Sequence, residues 1–427
     1  MPAAWSPRDR GIAMRSGRPR HVYDPTWTLV PRPPHTNVVT GKWVFRHKTN
    51  ADGSLERYKA RWVVRGFAQR PDIDFGETFS PVVKPATIQT VLTLACSRGW
   101  PVHQLDVKNA FFNGVLDEQV YCYQPDGFID ATRPDHVCRL SKSLYGLKQA
   151  PRAWFQRFAT FAATIGFAAS CFDDSLFILP RGDDAAYLLL YVDDIVITAS
   201  STVLLRTLVD QLHHEFTMTD MGALHYFLGI RVQRTSRGFF LDQAQYTEDL
   251  LHRADMSTCH PVTTPVDTSP KVAADAGQSP QAHQAILRYI RGTTVHGLLL
   301  PVSSSTEIVA YSDADWAGCP DTRRSTSGYC VYLGATLVSW SSKRQAIVSR
   351  SSAEAEYRDV ANAVADCVWL KQLLGELGLT PPKATIRTKH IELDIHFVRE
   401  KVALGDFRIA HRLYLDLANA AGNQQPN

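Results

Sequence analysis

The stretch Tyr187–Thr198, Tyr-Leu-Leu-Leu-Tyr-Val-Asp-Asp-Ile-Val-Ile-Thr, constrains this chain more than any other. Each apolar run beside Asp193 and Asp194 is short enough for a strand, and the second is too β-branched to favour helix. The pattern predicts a buried β-hairpin with both aspartates at its tip. Two adjacent like charges repel and resist burial, which makes such a tip a place for a divalent cation. An isolated Asp-Asp pair is also an ordinary turn between strands, so the pair needs company to mean more. It has it upstream: Val102–Gly114, Val-His-Gln-Leu-Asp-Val-Lys-Asn-Ala-Phe-Phe-Asn-Gly, puts Asp106 at the end of an apolar strand. Three carboxylates on strand ends can hold two Mg²⁺ roughly 3.5–4 Å apart, the arrangement used for in-line nucleotidyl transfer.

A second informative stretch is Gly41–Arg70, which reads as a hairpin around an Asp52-Gly53 turn. On its second strand Arg57, Lys59, Arg61 and Arg65 fall on one face at period two, and Tyr58, Ala60, Trp62 and Val64 on the other. A strand with one packed and one cationic face can lay Lys and Arg against phosphates; a solvated edge strand would look the same. Helices are expected over Pro85–Arg98, over Val203–Phe216 with Leu204, Leu205, Leu208 and Leu212 inward, and over Ser351–Leu377. Trp154, Phe155, Phe158 and Phe161 read as core rather than as base-stacking platforms. His213 and His214 read as surface residues.

Composition sets broad limits. A chain of 427 residues should form two or three domains. With 44% hydrophobic and 21% charged residues it is ordinary soluble protein, and a net charge of +4 leaves a nucleic-acid partner to be argued from local charge. No stretch has the length of a membrane span and no apolar signal core opens the chain, so no membrane role and no secretion are expected. The 8 Cys are scattered without a Cys-x-x-Cys pair, which fits reduced thiols in the cytosol or nucleus. The first 20 residues carry Arg8, Arg10, Arg15, Arg18 and Arg20 without periodicity, and residues 1–25 read as a disordered basic arm.

Three motifs in order, Gln-Leu-Asp-Val-Lys-Asn-Ala-Phe, then Leu144–Trp154 (Leu-Tyr-Gly-Leu-Lys-Gln-Ala-Pro-Arg-Ala-Trp), then Tyr-Val-Asp-Asp, closely resemble the reverse transcriptase of copia-type LTR retrotransposons. The resemblance runs from about Trp27 to about Gly405. It implies an α+β fold: a right-hand polymerase palm and fingers with the start of a thumb over residues 26–262, and a linker over 263–283 with the connection region deleted. An incomplete ribonuclease H-like α/β domain over 284–410 and a divergent tail over 411–427 follow. By the same resemblance Asp106, Asp193 and Asp194 are the catalytic metal ligands for two Mg²⁺, with Mn²⁺ as a substitute. Lys59 and Arg61 grip the incoming triphosphate, Phe111 is the aromatic gate against a ribose 2′-OH, and Gln149 contacts the nucleotide sugar and template base. Spacing rather than resemblance adds Arg57 and Arg65 on the hairpin face, and Lys148 and Arg152 one turn apart, as residues expected to face nucleic-acid phosphates. The implied partners are an RNA template, a DNA primer, their hybrid and deoxynucleoside triphosphates. The implied location is cytoplasmic, including virus-like particles, or nuclear.

The chain also departs from that family. Thr219 stands where the family often has Lys, and the long helical block after Thr264–Asp267 is missing. In the C-terminal part Asp313 and Glu356 match two of four ribonuclease H carboxylates. The third and fourth have no counterpart, and the strand that should present the third is cut short, so ribonuclease H activity and a central strand are expected to be lost. His390, Glu392, Asp394 and His396 alternate as zinc ligands would on a strand, though the family carries this stretch as ordinary structure. The rival readings are a non-catalytic retroelement remnant that at most binds nucleic acid, and a two-metal nuclease.

Overall fold

The computed structural model describes residues 26–49, 54–181, 184–265, 280–388 and 396–411. The basic arm, the Asp52-Gly53 turn, most of the linker, the run from His390 to Asp394 and nearly all of the tail lie outside the described residues. The chain opens with strands β1 (Trp27–Pro31) and β2 (Val38–Val39), then the hairpin β3 (Gly41–Thr49) and β4 (Leu55–Val64). Helix α1 (Pro85–Ser97), β5 (Val102–Val107), β6 (Val115–Cys122), β7 (His136–Lys142) and helix α2 (Ala150–Thr164) follow. Next come β8 (Ala168–Ala169), β9 (Leu176–Arg181), β10 (Asp184–Tyr191), β11 (Asp194–Ala199), helix α3 (Thr202–Glu215) and β12 (Met218–Ala223).

The sheet that matters most is antiparallel and six-stranded, in the order β12-β5-β11-β10-β9-β8. Its central strands are apolar on both faces, because both faces are covered. Leu188, Leu190, Ile195 and Ile197 pack with Trp154 and Phe158 of α2 and with Leu205, Leu208 and Leu212 of α3. Tyr187, Leu189 and Val196 point the other way, against Val91, Leu92 and Ala95 of α1. That two-sided burial explains why the runs flanking Asp193 and Asp194 read as continuous apolar stretches rather than alternating ones. A smaller sheet has the order β1-β7-β6-β2, and β3 and β4 form a separate two-stranded hairpin.

Beyond β12 the chain forms β13 (Tyr226–Phe227), β14 (Ile230–Thr235), β15 (Gly238–Asp242), helix α4 (Ala244–Arg253), helix α5 (Pro280–Gly292) and β16 (Gly297–Pro301). Strand β16 pairs antiparallel with β15 and completes a four-stranded sheet, β13-β14-β15-β16. This moves the expected boundary at residue 284. Leu298, Leu299 and Leu300 lie opposite Leu241, Phe240 and Phe239, so the segment after the linker closes the preceding sheet.

The last unit contains β17 (Ile308–Asp315), β18 (Thr326–Leu333), β19 (Thr336–Arg344), helix α6 (Ser352–Glu376), β20 (Ala384–Thr388), helix α7 (His396–Ala403) and β21 (Phe407–His411). Its sheet order is β19-β18-β17-β20-β21, with β17, β18 and β19 antiparallel and β17, β20 and β21 parallel. The expected loss of a central strand is therefore corrected. Short as it is, β20 sits between β17 and β21, and its Ala384 and Ile386 are fully buried in the core shared with α6. Of the alternating His and carboxylate stretch only His396 is described, and it opens helix α7.

This unit docks on α1 and on the edge of the six-stranded sheet. The Arg98 guanidinium donates to the Tyr187 hydroxyl at 2.8 Å, and that hydroxyl donates to the Leu377 carbonyl at 2.7 Å. Trp369 donates its indole N–H to the Phe172 carbonyl at 3.1 Å. Among the described residues no helix is long and apolar enough to cross a membrane.

Candidate active site

Strands β10 and β11 are joined by two residues, Val192 and Asp193, since Tyr191 already pairs with Asp194. Val192 has a φ of +54°, a region that a β-branched side chain strongly disfavours. A positive φ at the first turn residue gives the twist that antiparallel strands need, so the hairpin imposes the strain. Two contacts hold it. The buried Trp154 indole donates to the Val192 carbonyl at 2.6 Å, and the Val107 amide donates to the Asp193 carbonyl at 2.7 Å. Trp154 is core, as its sequence pattern predicts, but its N–H also fixes the aspartate turn. A buried indole needs an acceptor, and that was the signal available for this role.

The turn brings the three predicted carboxylates to one end of the sheet. Asp106 lies directly opposite Asp194 across the β5–β11 ladder, so their side chains share a face, and Asp193 is the next residue of the turn. On its other side Asp106 lies opposite Thr219, the position where the family often has Lys. All three carboxylates are half-buried. Burial pushes the Asp194 carboxyl up to about 6; the charges of Asp193 and Asp106 add to the rise, and a hydrogen bond from Gln104 opposes it. Crowded hard-oxygen donors of this kind suit Mg²⁺. As the side chains stand, no three His, Cys, Asp or Glu among the described residues converge into a ready-made ion cage.

Arg61 reaches this end from the β3–β4 hairpin. Its guanidinium lies 4.7 Å from the ring centroid of Tyr145, and its buried Nε has no hydrogen-bond partner. Phe111 meets the same ring edge-on, with centroids 5.0 Å apart. Burial raises the Tyr145 phenol; Arg61 opposes the rise, and Asp193 and Asp106 add to it. Tyr145 thus links hairpin, aromatic position and carboxylates, a role that sequence reasoning missed. The next residue, Gly146, makes the approach feasible. It has a φ of +94°, and a Cβ there would collide with the Val64 carbonyl of β4.

The remaining predicted residues divide. Arg57 is exposed and pairs only loosely with Glu56 at 3.4 Å, and Lys59 lies on the same face of the hairpin as Arg61. Arg65 leaves that pattern, because β4 ends at Val64 and Arg65 caps a short 3₁₀ turn. Lys148 precedes α2 rather than belonging to it; its ammonium lies 4.4 Å from the Phe75 ring, and Arg152 pairs with Glu77 at 2.7 Å. Both therefore face the 75–77 segment. Gln149 is buried, accepting from Gln69 at 3.0 Å and donating to the Asp74 carbonyl at 2.9 Å. A nucleotide contact by Gln149 would require those bonds to break.

In the C-terminal unit Asp313 is exposed at the end of β17, and Glu356 is buried near the start of α6. Between them sits a carboxylate that sequence reasoning missed. Asp359, one helical turn after Glu356, is fully buried and accepts from the Asp313 amide at 2.8 Å. Burial pushes it up to about 7; the charges of Glu356 and Asp313 add to the rise, and the Asp313 and Gly328 amides oppose it.

With this geometry in hand, comparison with known proteins is informative. Residues 24–268 match the model of the family described as reverse transcriptase (RNA-dependent DNA polymerase). The chain belongs to that family. It is 44% identical to the retrovirus-related Pol polyproteins of transposons RE2 and RE1 of Arabidopsis thaliana, over 93% of this chain and 32% and 31% of theirs. It is 36% identical to the corresponding polyprotein of transposon TNT 1-94 of Nicotiana tabacum, over 88% of this chain and 34% of that one. The copia-type retrotransposon Pol resemblance read from the motifs holds, and the chain spans about a third of the length of these relatives.

Proposed function

We propose that this reverse transcriptase family member is an RNA-directed DNA polymerase fragment that extends a primer by two-metal nucleotidyl transfer. The observation that carries the reading is the meeting of Asp106, Asp193 and Asp194 at one sheet end, with Arg61 reaching them through Tyr145. In this reading the six-stranded sheet with α1, α2 and α3 is the palm, and the β3–β4 hairpin belongs to the fingers. Asp106, Asp193 and Asp194 would hold Mg²⁺, which when bound supplies the charge that activates a 3′-hydroxyl and stabilises a leaving pyrophosphate. Trp154 keeps Asp193 and Asp194 in place by holding the strained turn. Arg61, with its unpartnered Nε, and Lys59 neutralise the triphosphate of an incoming deoxynucleotide. Phe111, braced by Tyr145, closes the space that a 2′-hydroxyl would need. An RNA–DNA hybrid would be held by shape and backbone. The reading fits an intracellular protein, in cytoplasmic particles or in the nucleus.

For the C-terminal unit, the mixed five-stranded order with Asp313 at the end of β17 and Glu356 on α6 supports a ribonuclease H-like fold without activity. In this reading Asp359 is no replacement ligand: it is fully buried, and its Oδ2 accepts from the β17 backbone, which leaves only Oδ1 without a partner.

The test is primer extension by the purified chain on RNA and DNA templates. Asp193→Asn and Asp106→Asn should each abolish deoxynucleotide incorporation, because each removes an anionic ligand. Incorporation that persists in both variants would sink the polymerase reading. A wild-type chain that binds template–primer without extending it would favour the non-catalytic remnant.

A further inference from the structure

Two buried cysteines have no part in the polymerase reading. Cys122 ends β6, and the register sets it directly opposite Cys138 of β7. Residues opposite one another in an antiparallel pair share a face and have Cα atoms about 4.5–5.5 Å apart. A disulfide spans roughly 4.4–6.8 Å between the same atoms, so the backbone need not move to form one. Each cysteine is 1% exposed, and both pack in one core with Val39, Trp62, Val64 and Leu140. Both are free thiols. Cys330 is also on a strand, but it lies opposite Tyr311 and Trp340, not another cysteine.

Buried cysteines are ordinarily inert, and two features set this pair apart. The first is position. Cys122–Cys138 is the last rung of the β6–β7 ladder. Just beyond it Tyr123 and Gln124 on one strand and His136 on the other line a cleft of ≈ 370 Å³. A peroxide, little larger than water, needs only that end rung to part. The second feature is what the thiols do to each other. A hydrogen bond from Cys122 lowers the Cys138 thiol against the opposing effect of burial, and the same bond together with burial pushes Cys122 well up. One sulfur is prepared as the nucleophile while the other keeps its proton. The exposed Cys171 is the opposite case, since hydrogen bonding to Glu376 and the charge of that carboxylate raise its thiol.

We propose that Cys122 and Cys138 are a redox site at which hydrogen peroxide closes a reversible disulfide, with Cys138 attacking and Cys122 resolving. The Cys138 thiolate attacks a peroxide oxygen; the O–O bond breaks, an S–O bond forms and hydroxide leaves. Cys122 then displaces the second hydroxide from that sulfur as the S–S bond forms. The two hydroxides take up the two thiol protons, so two thiols and one peroxide give one disulfide and two waters. Sulfur is oxidised and peroxide reduced, and an added dithiol reverses the link by exchange. The disulfide ties β6 to β7 within the core that also holds Trp62 and Val64 of β4. No residue of the carboxylate cluster takes part, so the site stands whether or not the chain polymerises.

The experiment treats the reduced, folded full chain with hydrogen peroxide, alkylates the remaining thiols, and maps the digest by mass spectrometry without reductant. The expected product is a monomer in which the Cys122 and Cys138 peptides are joined, two hydrogens lighter than the reduced pair and separated again by dithiothreitol. Cys171 should remain open to alkylation at the peroxide dose that links half of the pair. In Cys122→Ala the resolving thiol is gone, and a dimedone adduct should build up at Cys138. In Cys138→Ala no such adduct should form at Cys122. The wild-type map needs no variant, so it decides the matter even where a variant fails to fold. The proposal falls if both cysteines stay alkylatable at doses that oxidise Cys171, if the link forms only in denaturant, or if it joins two chains. A dimedone adduct at Cys122 in Cys138→Ala would overturn the order of attack.

Discussion

Two groups of three carboxylates, one on the six-stranded sheet and one shared between β17 and α6, differ more in what surrounds them than in residue type. Asp106, Asp193 and Asp194 are half-buried at the end of the six-stranded sheet, two of them paired across a ladder and the third on a strained turn. Asp313, Glu356 and Asp359 are also close in the fold, yet Asp313 is exposed, and Asp359 is sealed inside and hydrogen-bonded to the β17 backbone. Carboxylates become a site when the backbone leaves their oxygens for an outside partner. At the second group the backbone has already taken part of that role. Burial is the main cause of the rise at both Asp194 and Asp359, and two neighbouring carboxylates add to it at each; the opposing hydrogen bonds come from the Gln104 side chain at Asp194 and from backbone amides at Asp359.

The sharpest way to probe the first group is through its aromatic neighbour. Phe111→Val removes the ring that Tyr145 braces and should shift the ratio of ribo- to deoxynucleotide incorporation by roughly 10–100-fold. An unchanged ratio would return Phe111 to a packing role. Next in size is the turn. Trp154→Phe keeps an aromatic ring but leaves the Val192 carbonyl without its donor. Incorporation should fall by about tenfold, with a stability cost of about 1–3 kcal/mol. Wild-type kinetics in that variant would show that the strained turn holds without the indole.

Titration compares the two groups directly. Both Asp194 and Asp359 have raised folded pKa values, so the folded state keeps its proton where the unfolded chain has lost it. Stability should therefore be full below about pH 4 and fall as pH rises, through about 6 for Asp194 and about 7 for Asp359. The effect should be on the order of 1 kcal/mol at Asp194 once solvent screening is allowed for. Thermal unfolding against pH measures it. Asp194→Asn and Asp359→Asn should each remove their own part of the slope, and added Mg²⁺ should restore stability above pH 6 in the wild type and in Asp359→Asn but not in Asp194→Asn. Recovery by Mg²⁺ that depends on Asp359 would break the contrast. The smallest effect belongs to the hairpin: Arg57→Gln should lower the salt slope of template–primer binding by about one unit. A slope equal to wild type would leave Arg57 with Glu56 or in solvent.

Much of this was legible in the sequence, and the reasons are physical. The Asp193–Asp194 hairpin, the ends of α1, α3 and α6 and the core role of Trp154 and Phe158 follow from periodicity and burial, which local sequence carries. What it did not carry was long-range pairing. Nothing local shows that β16 would close against β15, or that five residues from Ala384 suffice for a central strand once β21 arrives to flank it. The role of Tyr145 depends on Gly146 meeting Val64, a contact between motifs 82 positions apart. Gln149 was matched to a nucleotide contact by motif, whereas its bonds to Gln69 and Asp74 exist only after the chain has folded. Asp359 carries no periodic signal at all, because one buried acid on a helix looks like one exposed acid until the sheet covers it.

One reaction tests the contrast between the two groups. The chain is given a primer on an end-labelled RNA template with Mg²⁺ and deoxynucleotides, then with Mn²⁺, and primer length and RNA integrity are followed together. The account predicts primer extension that Asp193→Asn abolishes, and an RNA strand that stays whole in the wild type and in Asp313→Asn alike. Metal-dependent RNA cleavage by the wild type that Asp313→Asn removes would contradict it.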